Sequence, residues 1–411
     1  MSHIIFHIDV NSAYLSWTAV EQLKNGADVD IRTIPAIIGG DRESRHGIVL
    51  AKSPSAEKFG IRTGEPVVNA FRKCPNLHMD PPNHRMYREY SRRLMDFLKT
   101  YTPEIEQVSV DECYMDFTGI AQRFSSPVEA AYEIKARVYE KFGFTVNVGI
   151  STNKLLAKMA SDFEKPNRVH TLFPEEVKEK MWPLPVSELF MAGKSSVAIL
   201  EKLEIRTIGE LAQTDPKLLE FHLKSHGRTL WEFANGIGDA KVQSEETAAK
   251  GVGNSTTLPK DVEKAEDAKK VLFSLAESVG KRLRKAGQKA NMVSVEIRYS
   301  DFQNVSHQKQ LGRASGADQV IYEAACSLFD ELWNGEPIRL LGVRTAKLVD
   351  EDEPEQLSLF DLQFEVKSEK PKKSMEKLKK LSAAMGEIRG KYGADAVIRG
   401  SVLEKYEKKQ F

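Results

Sequence analysis

The sequence has few cysteines, almost no net charge and no long apolar run. Its three cysteines (Cys74, Cys113 and Cys326) are odd in number and far apart, which fits neither a disulfide framework nor a zinc cluster and is typical of a reducing compartment. The formal net charge is +1, so composition gives no sign of a polyanionic partner. The apolar run in "MSHIIFHIDV" is short and contains an acid, unlike a signal peptide or a membrane span. We therefore expect a cytoplasmic protein without membrane attachment.

The remaining composition is that of a multidomain globular protein. With 411 residues, 41% hydrophobic and 29% charged, the chain is long enough for two to four domains. Periodicity predicts a multidomain α+β fold. Its blocks are alternating strands and helices to about residue 170, helical spacing from about 171 to 240, a polar linker at 239–255, a helix at 264–287, a strand at 292–300, a helix at 317–334 and a strand at 338–349.

The stretch "VSVDECYMDF" (108–117) breaks the period of a strand. Apolar residues hold even positions at Val108 and Val110 but odd positions from Cys113 onward. Because side chains alternate between the faces of a strand, the phase slips at Asp111 and Glu112. Such a slip indicates a tight turn or a bulge. We expect the two acids to lie at a hairpin tip, where both can face one point.

A third acid ends the first predicted strand. Ile4, Phe6 and Ile8 share one face of that strand, and Asp9 comes at its end. A helix follows as far as Gly26, with Ser12 predicted as its N-cap. Helix N-termini carry free N–H groups that suit phosphate, and active sites of open α/β sheets collect at strand ends.

Three carboxylates on two adjacent strands repel one another unless cations neutralise them. Magnesium is the candidate, since it is a hard cation held by a few carboxylates and by substrate phosphates. Two such ions suit in-line phosphoryl displacement. From spacing alone a nucleotidyl transferase, a nuclease, a cyclase and a structural salt-bridge cluster all remain open.

Several ordered motifs resemble the Y-family translesion DNA polymerases, in particular their bacterial DNA polymerase IV and UmuC-like branches. The motifs are "FHIDVNSAY", "GIVLAKSPSAEKFGIRTGEP", "VSVDECYMDF", "VGISTNKLLAKMASDFEKPN" and "TIGELA". The resemblance runs from residue 4 to about 360. It implies a right-hand polymerase with a palm (1–20 and 76–170), fingers (21–75), a helical thumb (171–240), an α+β little finger (245–350) and a clamp-binding motif with a C-terminal tail (351–411).

The resemblance also implies roles for individual residues. Asp9, Asp111 and Glu112, with the carbonyl of Val10, would hold two Mg²⁺ ions. A primer 3′-hydroxyl would then attack the α-phosphate of a deoxynucleoside triphosphate and release pyrophosphate. The nucleotide would lie against six residues, of which Tyr14 is the steric gate against ribose: Asn11, Ser12, Ala13, Tyr14, Lys52 and Lys165.

The resemblance also implies functions for two further segments. Without the resemblance, the basic run "KRLRKAGQK" would be interpreted as a solvated helix face. In a little finger it would contact DNA phosphates through Lys281, Arg282, Arg284, Lys285 and Lys289. "QLSLF" (Gln356, Leu357, Ser358, Leu359 and Phe360) resembles a sliding-clamp binding peptide. The implied partners are primer–template DNA, deoxynucleoside triphosphates and the bacterial sliding clamp, bound by a monomer that acts in DNA repair and the SOS response.

The fingers depart from the polymerase IV pattern. Ala51, Pro54 and Glu57 stand where that branch usually has Thr, Tyr and Arg around the triphosphate, and the local pattern is closer to UmuC. Lys52 and Lys58 can supply replacement charge, although a lysine acts as a point charge. One alternative is a non-catalytic, clamp-bound DNA scaffold, or a polymerase that needs an activating partner. The other is a different palm-type transferase such as a cyclase.

Overall fold

A computed structural model describes residues 3–40, 47–245 and 248–353, with a few positions between 384 and 396. It divides the chain into two units, Met1–Glu246 and Thr247–Phe411. The first unit begins with β1 (Ile5–Val10), α1 (Ala13–Lys24), β2 (Ala36–Gly39), β3 (Val49–Lys52), α2 (Pro54–Glu57), α3 (Val67–Lys73), β4 (His78–Asp80) and α4 (His84–Leu98). It continues with β5 (Ile105–Gln107), β6 (Glu112–Asp116), α5 (Pro127–Phe142), β7 (Val146–Ser151), α6 (Lys154–Asp162), β8 (Val169–Thr171), α7 (Lys194–Lys202), α8 (Ile208–Gln213), α9 (Pro216–Leu223) and α10 (Ser225–Ala234).

The main sheet of the first unit has the strand order β5-β6-β1-β7-β8. Alternation along β1 behaves as predicted, because Phe6 and Ile8 are fully buried in one core with residues of α1, α4 and α5, and Ile4 packs against that core. The odd residues point to the other face, where Ile5 is buried with Ala157 of α6. Helices therefore cover this sheet on both faces, and Asp9 lies on the α6 side.

Helix α6 approaches the sheet at Gly149 of β7. A Cβ on that residue would lie 2.0 Å from the carbonyl oxygen of Ala157 and 2.4 Å from the backbone nitrogen of Ser161. Since real Cβ atoms do not come so close to backbone, only glycine permits this packing. Gly149 pairs with His7 of β1, so α6 lies over the end of β1 that carries Asp9.

A smaller sheet and a helical block complete the first unit. The sheet has the order β3-β2-β4. Strands β2 and β3 lie within the segment predicted as fingers (21–75), whereas β4 begins at His78, just beyond it. Helices α7 to α10 occupy the segment for which helical spacing was predicted. Their core contains Leu200, Ile208, Leu219 and Leu230.

The second unit is α+β, as predicted, but has two more strands than the sequence suggested. Its elements are β9 (Gly251–Val262), α11 (Ala265–Lys285), β10 (Gln288–Tyr299), β11 (Asn304–Ser315), α12 (Asp318–Leu332) and β12 (Ile338–Asp350). The sheet order is β11-β10-β12-β9, with every neighbouring pair antiparallel. Both helices share a core with one face of this sheet.

The predicted linker at 239–255 is wrong at both ends. Gln243 donates its backbone N–H to Glu106 at 2.8 Å, and Val242 is buried against Ile5 and Tyr114, so this part is fixed to the first unit. At the other end β9 begins at Gly251, where a Cβ would lie 2.4 Å from the carbonyl oxygen of Thr345. Gly251 is therefore required by close packing against β12 and belongs to a strand of the second sheet.

The predicted clamp-binding peptide, residues 356–360, lies outside the residues that the structure describes. In the part of the chain that the structure describes, no helix combines the length and the apolar composition of a membrane span.

Candidate functional site

The β5–β6 hairpin brings two acids beside Asp9, as the phase slip predicted. Residues 108–111 form the connection between the strands, and the N–H of Val108 donates to the carbonyl of Glu112 at 3.1 Å. In the β1–β6 pair Asp9 stands directly opposite Glu112. The N–H of Val10 donates to the carbonyl of Asp111 at 3.0 Å. All three acids therefore lie at one end of two adjacent strands.

Two basic side chains that were not predicted from the sequence lie beside Glu112. Lys158 Nζ lies 3.0 Å from Glu112 Oε2, and His7 Nε2 lies 3.3 Å from the same oxygen. His7 is fully buried and its Nδ1 shares a hydrogen bond of 2.8 Å with Ser161 Oγ. His7 and Lys158 together hold the pKa of Glu112 at about 2. For His7 the sequence contained a signal, because His7 is two residues before Asp9 and the two side chains therefore share one face of the strand.

Asp9 is paired with Lys165. The Lys165 ammonium contacts both Asp9 and Asp162, the latter at 2.8 Å. Burial lowers the pKa of Lys165, but the two carboxylates outweigh burial and leave this pKa raised. The predicted triphosphate lysine therefore lies beside the predicted metal ligand and is charged.

The surroundings of Asp111 shift its pKa in the opposite direction to that of Glu112. Burial raises its pKa, with a further contribution from the charges of Asp9 and Glu112, although a hydrogen bond from Ser109 opposes the change. The Ser109 hydroxyl is 2.5 Å from Asp111 Oδ1 and also accepts from the backbone N–H of Glu112 at 3.2 Å. Serine thus shapes the turn that presents both acids.

These groups suit a hard divalent cation, since all the acidic ligands are oxygen donors with a shared negative charge. Asp9 and Glu112 are each neutralised by a lysine ammonium. Among the described residues, no three His, Cys, Asp or Glu side chains are close enough to hold one ion. The backbone therefore brings the predicted ligands together, while their carboxylates face lysine or serine partners.

A cleft of about 620 Å³ opens beside these acids within the first unit. Its lining contains nine of the predicted site residues: Asp9, Val10, Asn11, Ser12, Ala13, Tyr14, Lys52, Asp111 and Lys165. Glu112 does not line it.

Asn11 and Ser12 differ from expectation in detail. The Asn11 amide is buried and hydrogen-bonds to Asn147 and Thr145 at 3.0 and 2.9 Å, so its side chain supports the fold. Ser12 precedes α1 with a φ of 46° and makes no side-chain capping bond. Ser12 therefore occupies the predicted N-cap position, but its backbone is left-handed where a capping serine is usually extended, and its hydroxyl does not cap the helix.

Tyr14 is held rigidly at the cleft by aromatic neighbours. Its ring stacks on Tyr87 with a centroid distance of 4.3 Å and an interplanar angle of 8°, and it meets the edge of His84 at 5.8 Å. Burial, and next the charge of Asp111, raise the pKa of the Tyr14 hydroxyl. A fixed ring at the wall of a polar cleft can discriminate ligands by shape.

The predicted DNA-contacting residues of the second unit fall into two groups. Lys281 and Lys285 are exposed on α11. Three residues make contacts within the unit: Arg284 with the buried Asp318 at 2.6 Å, Arg282 with the carbonyl of Gly253 at 2.7 Å and Lys289 with the carbonyl of Glu351 at 2.6 Å.

An open sheet face in the second unit was missed by the sequence reading. The face opposite α11 and α12 encloses a concavity of about 810 Å³, lined by mainly polar residues such as Asn254, Ser294, Glu296, Gln308 and Arg344. The signal was present as polar residues alternating with Val293, Val295 and Ile297 along β10.

Comparisons with known proteins agree with this geometry. The chain matches the model of the impB/mucB/samB family over residues 8–162 and that of the family's C-terminal domain over residues 249–359. It is 48% identical to the DNA polymerase IV of Clostridium acetobutylicum, covering 99% of this chain and 100% of that protein. It is 37% identical to DNA polymerase IV 1 of Bacillus subtilis, covering 99% and 95%. The solved structure of the Y-family DNA polymerase chimera Dbh-Dpo4(243-245)-Dbh matches with a TM-score of 0.74 at 23% identity, covering 84% of this chain and 99% of that one.

Proposed function

The chain belongs to the impB/mucB/samB family, and from this premise we propose how it works as a DNA-directed DNA polymerase of the translesion type. The proposed reaction adds deoxynucleotides to a primer 3′-end opposite a template, with low fidelity and with bypass of damaged bases. The observation that carries the proposal is the register of Asp9 against Glu112, at the mouth of a cleft lined by Tyr14 and two lysines.

Asp9, Asp111 and Glu112, with the Val10 carbonyl, would hold two magnesium ions in this enzyme. When bound, these ions would lower the pKa of the primer hydroxyl and neutralise charge on the triphosphate. Before that, Lys158 and Lys165 balance Glu112 and Asp9 and so allow the acids to remain together. Lys165 would then exchange its carboxylate partners for phosphate oxygens.

The remaining cleft residues would position the nucleotide. Tyr14 would stand against the sugar and exclude a ribose 2′-hydroxyl, because its ring cannot retreat from Tyr87 without losing a stacked contact. Lys52 would pair with phosphate oxygens. The backbone at Ser12 and Ala13 would lie beside the triphosphate, next to the start of α1.

The second unit would provide sequence-independent contact with primer–template DNA. Exposed Lys281 and Lys285 suit phosphate contacts, and the polar open sheet face adds Arg344 together with neutral donors such as Asn254 and Gln308. Arg282, Arg284 and Lys289 would contribute less, since they already have partners within the unit. We further propose a cytoplasmic monomer tethered to the sliding clamp through residues 356–360.

The test is primer extension on an undamaged primed template with Mg²⁺, comparing wild type with Glu112→Ala and with Glu89→Gln, an exposed control on α4. Extension by wild type and the control, but not by Glu112→Ala, supports the proposal. If no protein extends the primer while all bind it, the scaffold becomes the better reading, unless a cell fraction restores wild-type activity and so reveals an activating partner.

A further inference from the structure

The nucleotide cleft has a feature that the reaction itself does not require, an acid beside one of its two lysines. Lys52 Nζ lies 2.7 Å from Glu57 Oε1, and both residues line the cleft. Among the described lining residues the cationic side chains are Lys52 and Lys165, and Lys165 is bound to Asp9 and Asp162. Both of these described lysines therefore already have a carboxylate partner.

The other described donors in the cleft are neutral. Ala51 has no side-chain donor, and Pro54 has neither a side-chain donor nor a backbone N–H. The remaining side-chain donors are the hydroxyls of Ser12, Tyr14 and Thr63, because the Asn11 amide already donates to Asn147. The backbone N–H groups at Ser12 and Ala13 are neutral as well. Hydrogen bonds from neutral donors are weaker than charge-assisted bonds to phosphate. Because the other donors are neutral, the strength of triphosphate binding should depend strongly on whether Lys52 is available.

The backbone fixes the Lys52–Glu57 contact. Lys52 directly precedes Ser53, which is fully buried, and Glu57 lies one helical turn after it, with its backbone N–H donating to the Ser53 carbonyl at 3.0 Å. The Ser53 hydroxyl donates to the carbonyl of Ile34 at 2.7 Å and accepts from the backbone N–H groups of Ala36 and Ala56, each at 3.0 Å. This hub ties the end of β3 and the short helix α2 to β2, and so holds Lys52 and Glu57 on the same side of the corner.

We infer that Glu57 competes with the incoming triphosphate for Lys52 and thereby sets a weak affinity for the nucleotide. The inference rests on the proposed function. Lys52 must leave Glu57 to reach a phosphate oxygen, and the carboxylate of Glu57 then faces the polyanion in the same cleft. Glu57 is the exposed partner, with 67% of its side chain accessible, whereas Lys52 has 19%. The effect is therefore moderate, because solvent screens an exposed carboxylate.

The test is single-nucleotide incorporation by wild type, Glu57→Gln, Lys52→Met and the double variant. Glu57→Gln should lower the KM for the deoxynucleotide about two- to fivefold and leave kcat within about twofold, since an interaction present equally in the ground and transition states changes KM. Lys52→Met should raise KM. In the Lys52→Met background Glu57→Gln should lose most of its effect, which is the signature of a shared contact.

The matched control is Glu65→Gln, which removes another fingers ion pair, Glu65–Lys73 at 2.6 Å. Glu65 does not line the cleft, and this variant should keep the wild-type KM. An unchanged KM in Glu57→Gln, or the same change with and without Lys52, would overturn the inference.

A second readout separates this inference from the proposed function. The unfolding temperature is measured against magnesium–deoxynucleotide concentration, which reports binding without chemistry. If wild type incorporates no nucleotide, the proposed function fails. In that case half-maximal protection of Glu57→Gln at about two- to fivefold lower nucleotide still supports the competition, and equal protection overturns it.

Discussion

The two large sheets differ in what covers them. Helices lie on both faces of the first sheet, with the α1, α4 and α5 core on one side and α6 on the other. The second sheet is covered on one face by α11 and α12. Polar groups of the first sheet remain reachable mainly at strand ends, where a few side chains determine the chemistry. The second sheet has a broad polar face, on which binding would be distributed over many side chains. Single substitutions should therefore have large effects at the first sheet and small effects at the second.

The largest effect is expected where α6 meets the first sheet. Gly149→Ala should destabilise the protein by about 3 kcal/mol or more, because its Cβ would overlap the backbone of α6 and the helix would have to move. Lys158 would move with it. Urea unfolding measures the loss. Gly312→Ala on β11, where a Cβ meets nothing within 4 Å, should change stability by less than about 0.5 kcal/mol. Similar costs at both glycines would contradict the comparison.

The next largest effect is expected at Tyr14. Tyr14→Ala should reduce discrimination against ribonucleotides by about 100-fold, since removal of the ring opens space for one hydroxyl. Tyr14→Phe keeps the ring and should retain the wild-type discrimination. The measurement is the ratio of kcat/KM for matched deoxy- and ribonucleotides. Unaltered selectivity in Tyr14→Ala would show that another part of the cleft reads the sugar.

The acids were predictable because strand periodicity is local. Side-chain alternation placed Asp9 on the face of the strand that is opposite to Ile4, Phe6 and Ile8. The phase slip located Asp111 and Glu112 at a turn. Lys158 was not predicted as a partner of Glu112. Its position depends on the depth at which α6 packs, which Gly149 permits, and Lys158 is 46 residues from Glu112 in the sequence.

The errors in the second unit have a different cause. Strand β11 is an edge strand with mostly exposed residues, so it lacks the apolar alternation by which strands are recognised. Gly251 lies in the segment predicted as a polar linker, yet β9 needs a glycine there for its close approach to β12. Edges and open faces have few buried side chains, and sequence periodicity is weak wherever burial is weak.

A smaller effect concerns the charge of Glu112. Its folded pKa of about 2 lies below the ordinary 4.5, so its pairing stabilises the protein above about pH 4.5 and this contribution is lost as the pH falls toward 2. In the presence of EDTA, Glu112→Gln should be less stable than wild type by about 1–2 kcal/mol at pH 7, a value reduced for partial exposure. The difference should shrink on acidification to pH 3. A difference independent of pH would show that Glu112 contributes through shape alone.

The smallest effect is expected on the open face of the second sheet. Arg344→Ala should weaken binding of primer–template DNA about two- to fivefold and reduce the dependence of log K on log salt by about one unit, as expected for one phosphate contact among many. The catalytic rate at saturating DNA should remain that of wild type, because Arg344 belongs to a different unit from the acids. Arg92→Ala, on the exposed side of α4, is the control. Fluorescence anisotropy across a salt series measures both quantities. A loss of 100-fold or more at Arg344 would mean that the open face, like the cleft, depends on single residues.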